Sequence, residues 1–283
     1  MKIIENFSLE KKNTLGIKCI ARYYSEINTK SDFFSILDFI KEKNIKYFIL
    51  GLGSNVLLPT GKINVLVISI TYQVFKKITK DKFSIGAGCL LNNIVIQLAK
   101  QDYDLSYLTG YPSSIGGAVC GNSGISEGTL GGFLETAVIF NTKTARFETW
   151  MKKDFQFKYR SSVLQEKKQY IFWEGEFIFK KSSHVTVKTK DVLIRRKKTQ
   201  PQGKTAGCVF KNPATNQAAG FLIEQCGLKG KIIGGAQISK KHANFFINIG
   251  KATSNDFLEL ISLTKKTVLE KFKISLETEI QIF

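Results

Sequence analysis

Residues 109–132 read TGYPSSIGGAVCGNSGISEGTLGG, and this stretch constrains the fold more than any other. Glycine and serine at such density weaken both helices and strands, so the segment reads as neither plain helix nor plain strand. Two options remain: a floppy linker, or an ordered loop system wrapped around something. Tyr111, Ile115, Val119 and Ile125 recur through it, and flexible linkers seldom carry such apolar residues. An ordered loop system is therefore expected. Its Gly110, Gly116, Gly117, Gly121 and Gly124 lie among Ser113, Ser114 and Asn122. Residues of this kind let backbone N–H groups approach a diphosphate or the polar edge of a ring.

A second, shorter turn, Gly51-Leu52-Gly53-Ser54-Asn55, follows a short apolar run at 47–50 that reads as a buried strand. It has the character of an anion cradle, although in isolation an ordinary tight turn is the favoured reading. It is not a nicotinamide fingerprint, because Val56 stands where the last glycine of G-x-G-x-x-G would be, and the chain has no Walker G-K-[ST]. Two separated glycine loops in a mixed chain fit a large phosphate-bearing ligand, and a dinucleotide better than a mononucleotide.

The rest of the chain supplies a scaffold. Ser31 is placed to cap a helix carrying Phe34, Leu37, Ile40 and Ile45. Strands are expected at 65–70 and 83–85, with a helix at 91–99. Alternation at 137–140, 146–150 and 170–180 predicts antiparallel strands. A helix at 217–226 stops at Gly227, and 245–249 reads as a strand. Thr253 and Asp256 form a capping box for a helix carrying Phe257, Leu260, Ile261, Thr264, Val268 and Phe272. Residues 276–283 alternate as a final strand, with Glu277, Glu279 and Gln281 on its polar face. The expected organisation is a small α/β lobe over 1–60, a second lobe over 61–195 and a C-terminal α/β domain over 196–283.

Composition narrows the function. Forty-two Lys and Arg against 23 Asp and Glu give a net charge of +19, which suits nucleic acid, an anionic membrane or a phosphate-bearing small molecule. The basic residues are spread along the chain without a nucleic-acid motif, so no nucleic-acid partner is expected. The five cysteines, Cys19, Cys89, Cys120, Cys208 and Cys226, form no C-x-x-C pair, and two lone histidines lack metal-ligand spacing. The first dozen residues are charged and the apolar runs fall short of the roughly 20 residues of a membrane helix, which predicts a cytoplasmic protein without a membrane span.

Several strings together carry a more specific resemblance. They are Asn13-Thr14-Leu15-Gly16, LGLGSN at 50–55, GYPSSIGGAV at 110–119, Tyr159-Arg160-Ser161-Ser162, AGCVFKNP at 206–213, AGFLIEQCGLKG at 219–230, His242-Ala243-Asn244-Phe245 and the run 276–282. In this order they resemble the UDP-N-acetylenolpyruvoylglucosamine reductase (MurB) family across nearly the whole chain. The resemblance implies an α+β fold with an FAD-binding domain of the vanillyl-alcohol-oxidase (PCMH) type, a small N-terminal α/β lobe and a C-terminal α/β substrate domain. It implies noncovalent FAD reduced by NADPH, and a hydride passed to the enolpyruvyl group of a UDP-sugar to give UDP-N-acetylmuramate for peptidoglycan. Gly51, Leu52, Gly53, Ser54 and Asn55, with Gly110, Ser113, Ser114, Ile115, Gly116, Gly117, Gly121 and Asn122, would then hold the flavin.

The resemblance also implies roles for single residues. Hydride delivery leaves negative charge on the neighbouring carbon and its carboxylate, so the site needs a cation and a proton donor. Arg160 matches the family's enolate-stabilising arginine, with a solvated arginine as the bland alternative. Cys208 stands where the family usually carries a proton-donating serine. A thiol of ordinary pKa, about 8.5, is protonated at neutral pH and a stronger acid than a hydroxyl. Its alternative is a small buried hydrophobe. Glu279 matches the family's glutamate, a choice that spacing alone leaves open with Glu277. Tyr159, Lys211, Asn212 and Gln281 would meet the substrate, Gln281 replacing a common arginine, while Arg195 and Arg196 would neutralise its diphosphate unless they form a solvated helix face. His242 reads as structural or substrate-adjacent. The length of 283 residues resembles the family's shorter class, and a monomer is expected. A different flavin oxidoreductase of the same superfamily is the competing enzyme reading.

Overall fold

The computed structural model describes residues 1–215 and 217–283. Its elements are β1 (Ile3–Ser8), β2 (Cys19–Ile27), α1 (Lys30–Lys43), β3 (Tyr47–Ile49), β4 (Val56–Leu57), β5 (Gly61–Ile70), β6 (Phe75–Lys77), β7 (Lys82–Gly86) and α2 (Leu91–Ala99). There follow α3 (Ile115–Cys120), β8 (Gly124–Ile125), β9 (Gly128–Thr129), α4 (Leu130–Phe133), β10 (Leu134–Asn141), β11 (Arg146–Met151), α5 (Val163–Glu166), β12 (Tyr170–Ile178) and α6 (Val185–Thr199). The last are β13 (Thr205–Cys208), α7 (Ala219–Gln225), β14 (Ile232–Ile233), β15 (Ala236–Ile238), β16 (Phe245–Asn248), α8 (Ser254–Phe272) and β17 (Gln281–Ile282). Packing divides the chain into two compact units. One comprises Met1–Glu5, Arg22–Leu52 and Asn64–Ile194, the other Asn6–Ala21, Gly53–Ile63 and Arg195–Phe283.

The first unit is organised by an antiparallel five-stranded sheet of order β11-β10-β12-β7-β6. Period-two alternation sends its side chains into two separate cores. Leu134, Ala137, Ile139, Phe172, Phe83 and Ile85 enter a core closed by α2 and α3. Phe140, Ile171 and Trp173 point the other way, into a core shared with α1 and strands β2 and β5. There Phe33 lies 4.5 Å from Phe140 and 5.4 Å from Trp173, which stacks on Tyr72 at 4.1 Å. Burying an aromatic of this size contributes about 1.5–3 kcal/mol.

Helix α1 differs from the expectation in its cap. Thr29, not Ser31, is the N-cap, and it exchanges a capping box with Asp32, whose carboxylate accepts the Thr29 N–H at 2.8 Å. Ser31 already lies within the first turn, where it bonds the Thr29 hydroxyl. The shift places Phe33, Ile36 and Leu37 in the core and leaves Phe34 45% exposed. The glycine-rich segment also departs from the expectation, since it contains the six-residue helix α3 and the short pair β8–β9.

The second unit holds an antiparallel sheet of order β13-β16-β15-β14 and helices α7 and α8 around a core of Leu222, Ile223, Phe246, Phe257, Leu260 and Val268. The expected capping box of α8 is present: Thr253 Oγ1 accepts the Asp256 N–H at 3.2 Å and Asp256 accepts the Thr253 N–H at 2.9 Å. Burial opposes ionisation of Asp256, but the Thr253 and Gly235 amides outweigh it and hold its carboxyl below the usual range. Residues 276–283 do not form the continuous strand expected. Only Gln281–Ile282 is a strand, parallel to Val56–Leu57, while Thr278 makes an isolated antiparallel bridge to Phe210. The tail changes partner along its length, which breaks the ladder.

Candidate active site

In the first unit Gly51, at the start of the shorter glycine turn, approaches the longer glycine segment. A Cβ on Gly51 would lie 3.0 Å from Ser114 Oγ and 4.0 Å from the Gly117 Cα, and a Cβ on Gly117 would lie 3.1 Å from Ser113 Oγ. The close approach of these backbones leaves little room for side chains. Helix α3 is seated by the preceding loop: the Ile115 N–H donates to Cys89 O at 2.8 Å and the Gly116 N–H to Ala87 O at 2.9 Å. Ser114 caps it through the Gly117 N–H. The Gly110 N–H is held at 2.9 Å by the Asn92 side chain, a residue that the sequence reading passed over.

These α3 amides are therefore occupied within the protein. Among the described residues, the N–H groups of Gly51, Leu52, Gly53 and Ser54 donate to no protein acceptor. Gly53 adopts φ +63°, and a Cβ there would collide with the Lys12 carbonyl, so the turn requires glycine. Thr109 Oγ1 and Asn122 Oδ1, both buried at the two ends of the glycine segment, have no hydrogen-bond partner among the described residues. Open amides, a side-chain-free surface and two buried polar atoms fit a polar, phosphate-bearing cofactor.

Arg160 is bound to the same region. Lys158 and Ser161 exchange backbone hydrogen bonds of 3.0 and 3.2 Å, which puts Tyr159 and Arg160 at the corner of a tight turn. Arg160 adopts φ +55° there, a left-handed conformation that costs a side-chain-bearing residue roughly 1–2 kcal/mol. The surroundings hold it: Asn122 Nδ2 donates to Lys158 O at 2.9 Å and Ser162 Oγ to Cys120 O at 2.7 Å. Both anchors run to the end of α3, so the glycine helix and the arginine turn are placed as one. The guanidinium carbon lies 5.8 Å from the Tyr159 ring centroid, and Tyr159 is 56% exposed.

The second unit brings together residues far apart in sequence. Cys208 ends β13 opposite Phe245. The next two residues are gripped by the buried Asn244. Its carbonyl accepts the Val209 N–H at 2.9 Å, its Oδ1 the Phe210 N–H at 2.9 Å, and its Nδ2 donates to Phe210 O at 2.8 Å. Val209 in turn accepts the Glu279 N–H at 2.8 Å. Glu279 is thus held one backbone step from Cys208. Glu277, the other candidate on spacing, is exposed and paired with Lys211 at 2.5 Å. Asn212 Oδ1 accepts the Ala219 N–H at 3.1 Å at the start of α7. The Gln281 N–H donates to Asn55 O, and Asn55 Nδ2 to Glu279 O. Arg195 and Arg196 lie in the last turns of α6.

Electrostatics separate His242 from this chemistry. Burial lowers its pKa, the Lys229 charge acts in the same direction, and its Nδ1 accepts the Asn244 N–H at 3.3 Å. The ring supports the Asn244 turn by accepting that N–H. Asn244 itself carried a sequence signal, an asparagine running directly into a buried Phe-Phe strand, where an unpaired amide is costly.

Comparison with known proteins agrees with this geometry. Residues 21–139 match the FAD binding domain. Over 64% of the chain the fold is similar to that of 6-hydroxy-D-nicotine oxidase from Arthrobacter nicotinovorans, of which it covers 42%, with a TM-score of 0.50 at 14% identity. The match and the fold define an FAD-binding protein of the vanillyl-alcohol-oxidase (PCMH) architecture. Residues 199–283 match the UDP-N-acetylenolpyruvoylglucosamine reductase C-terminal domain. The reductase of that name from Protochlamydia amoebophila is 38% identical over 98% of this chain and 92% of its own. The crystal structure of the Thermus caldophilus reductase superposes with a TM-score of 0.82 at 30% identity, over 100% of this chain and 98% of that one. The chain belongs to the UDP-N-acetylenolpyruvoylglucosamine reductase family, and FAD is its cofactor.

Proposed function

We propose that the chain reduces the enolpyruvyl group of UDP-N-acetylglucosamine enolpyruvate to UDP-N-acetylmuramate at the expense of NADPH, in the cytoplasm and as a monomer. The reading rests on family membership and, above all, on one observation that supports it: the Glu279 N–H donates to Val209 O, which joins the backbone of Glu279 to the residue after Cys208 across 71 positions of sequence. Among the described residues no helix is long and apolar enough to cross a membrane.

When bound, FAD supplies the two-electron relay from NADPH to the terminal vinyl carbon of the substrate. The Gly51-to-Asn55 turn and the glycine-rich segment 110–122 hold it, the first through open backbone amides, the second through a surface without side chains. Arg160 binds the substrate carboxylate and stabilises the charge that develops on it as hydride arrives. A guanidinium suits this because two of its N–H groups can engage both oxygens. Its strained turn keeps the side chain aimed without rearrangement during the reaction, as electrostatic stabilisation requires.

Cys208 gives its Sγ proton to the carbon bearing the carboxylate, and the resulting thiolate is reprotonated from solvent. NADPH, one proton and the enolpyruvyl ether are consumed, and NADP and the lactyl ether are formed. Glu279 polarises the same end of the substrate. Lys211, Asn212, Gln281 and Tyr159 bind the nucleotide and sugar, with Arg195 and Arg196 near the diphosphate. The test is NADPH oxidation by FAD-loaded protein with and without the enolpyruvyl substrate. Stoichiometric consumption only with substrate supports the reading. Consumption by oxygen alone, indifferent to substrate, overturns it in favour of another flavin oxidoreductase.

A further inference from the structure

The segment that carries Glu279 has little regular structure of its own. Between the end of α8 at Phe272 and the strand Gln281–Ile282 it forms a single isolated bridge, Thr278 to Phe210. Its strand pairing with β4 covers two residues, Gln281 opposite Val56 and Ile282 opposite Leu57. So short a parallel ladder specifies register weakly, and a slip of one residue turns every side chain to the opposite face. Such a slip would turn the Glu279 side chain to the opposite face and put a neighbour in its place.

The Asn55 side chain opposes that slip. Its Nδ2 donates to the Glu279 carbonyl at 3.1 Å, while its own carbonyl accepts the Gln281 N–H at 3.0 Å. Glu279 is thereby clamped on both sides of its backbone, by Val209 O on its N–H and by Asn55 Nδ2 on its C=O. Ile280, the next residue, is buried beside this clamp. A leucine or alanine at position 55 would keep the Gln281 backbone bond and lose only the side-chain one.

We infer that Asn55 is a positioning residue for Glu279, fixing the register that directs the Glu279 carboxylate to the reaction that Cys208 serves. This rests on the proposed catalytic use of Glu279. The two uses of Asn55, in the flavin-binding turn and in the Glu279 clamp, make different predictions.

The experiment uses FAD-loaded enzyme and separates flavin reduction by NADPH from flavin reoxidation by the enolpyruvyl substrate in a stopped-flow instrument, with FAD affinity read by flavin fluorescence. Asn55→Ala and Asn55→Leu should each slow reoxidation by about tenfold, the cost of a modest misplacement. Both variants are compared with the parent when fully loaded with FAD, so that any loss of flavin affinity from the altered turn is measured separately by titration and does not enter the reoxidation rate. Glu279→Gln should slow reoxidation by about a hundredfold, and adding Asn55→Ala to it should cost less than about a further twofold, because the positioned group is already gone. Amide exchange of residues 276–283 should accelerate in both Asn55 variants.

Independent multiplication of the Asn55 and Glu279 effects would overturn the inference and leave the catalytic reading of Glu279 standing. So would weakened FAD binding with normal reoxidation once the enzyme is loaded. Normal reoxidation in Glu279→Gln would overturn both.

Discussion

The two units build their parts of the site by opposite means. In the first, the backbone near Gly51 and Gly117 is shaped by what is missing, since a Cβ at either position would press on a serine hydroxyl. In the second, the backbone around Cys208 and Glu279 is shaped by what is added, the amide side chains of Asn244 and Asn55, which complete hydrogen bonds that no strand supplies. A cradle made by omission binds a ligand wherever backbone can approach it. A clamp made by amide side chains sets the position of a few backbone groups. The first suits a large cofactor and the second suits proton transfer.

The sharpest way to break this contrast is Cys208→Ala. Turnover of the enolpyruvyl substrate should fall by about 10²–10⁴-fold while NADPH still reduces the flavin, because only general acid catalysis is lost. Stopped-flow traces of the two half-reactions check it, and Cys208→Ser should restore most of the rate. Next comes Gly117→Val. It should weaken FAD binding by about a hundredfold, the cost of closing a preformed pocket by a misfit of a few kcal/mol, with turnover chemistry recovered in proportion to the flavin retained. Equilibrium titration with FAD measures this.

Asn244→Ala tests the clamp. It leaves the buried Phe210 N–H and C=O without partners and should cost about 2 kcal/mol of unfolding free energy, readable in urea titration, with slower reoxidation of the flavin. A smaller and opposite effect is expected from Arg160→Gly. Removing the left-handed side chain should raise the Tm by about 2–4 °C, as expected from about 1 kcal/mol in a unit of this size, while turnover is lost, which marks a conformation retained for function rather than stability.

The smallest effect concerns pH. His242 has its pKa lowered by burial, so the folded state binds fewer protons than the unfolded one below the ordinary histidine range. Its contribution is complete above the unfolded pKa of about 6.5 and is lost as pH falls through the lower folded value. Calorimetry at pH 7.5 and pH 5.5, at about these values, should show a larger acid loss of Tm in the parent than in His242→Gln.

Much of the first unit was legible in the sequence because its signals are local. The helix Leu91–Ala99, the alternating strands of the central sheet and the glycine segments all follow from neighbours within a few positions. Thr29 displaced Ser31 as a cap because Asp32 completes a reciprocal box with Thr29. The helix α3 was hidden because its glycines argue against helix, and its fold depends on backbone bonds to Ala87 and Cys89. In the second unit the roles of Asn244 and Asn55 depend on backbones 34 and 224 residues away. No local pattern encodes such partners, and the same distance explains why the tail of 276–283 alternates like one strand yet serves two.

The composition of the second unit from Asn6–Ala21, Gly53–Ile63 and Arg195–Phe283 also governs how the molecule can be made. On the ribosome the first two pieces emerge long before the third, and until it arrives Leu15, Ile17 and Leu57 lack the core into which they finally pack. The intervening unit can mature first, since its cores draw on residues already synthesised, whereas Cys208 finds its surroundings only near the end of translation. Slow, non-local closure of this kind exposes apolar strands for longer. A fragment beginning at Arg195 would lack part of its own interior, so the excised C-terminal region would aggregate rather than fold.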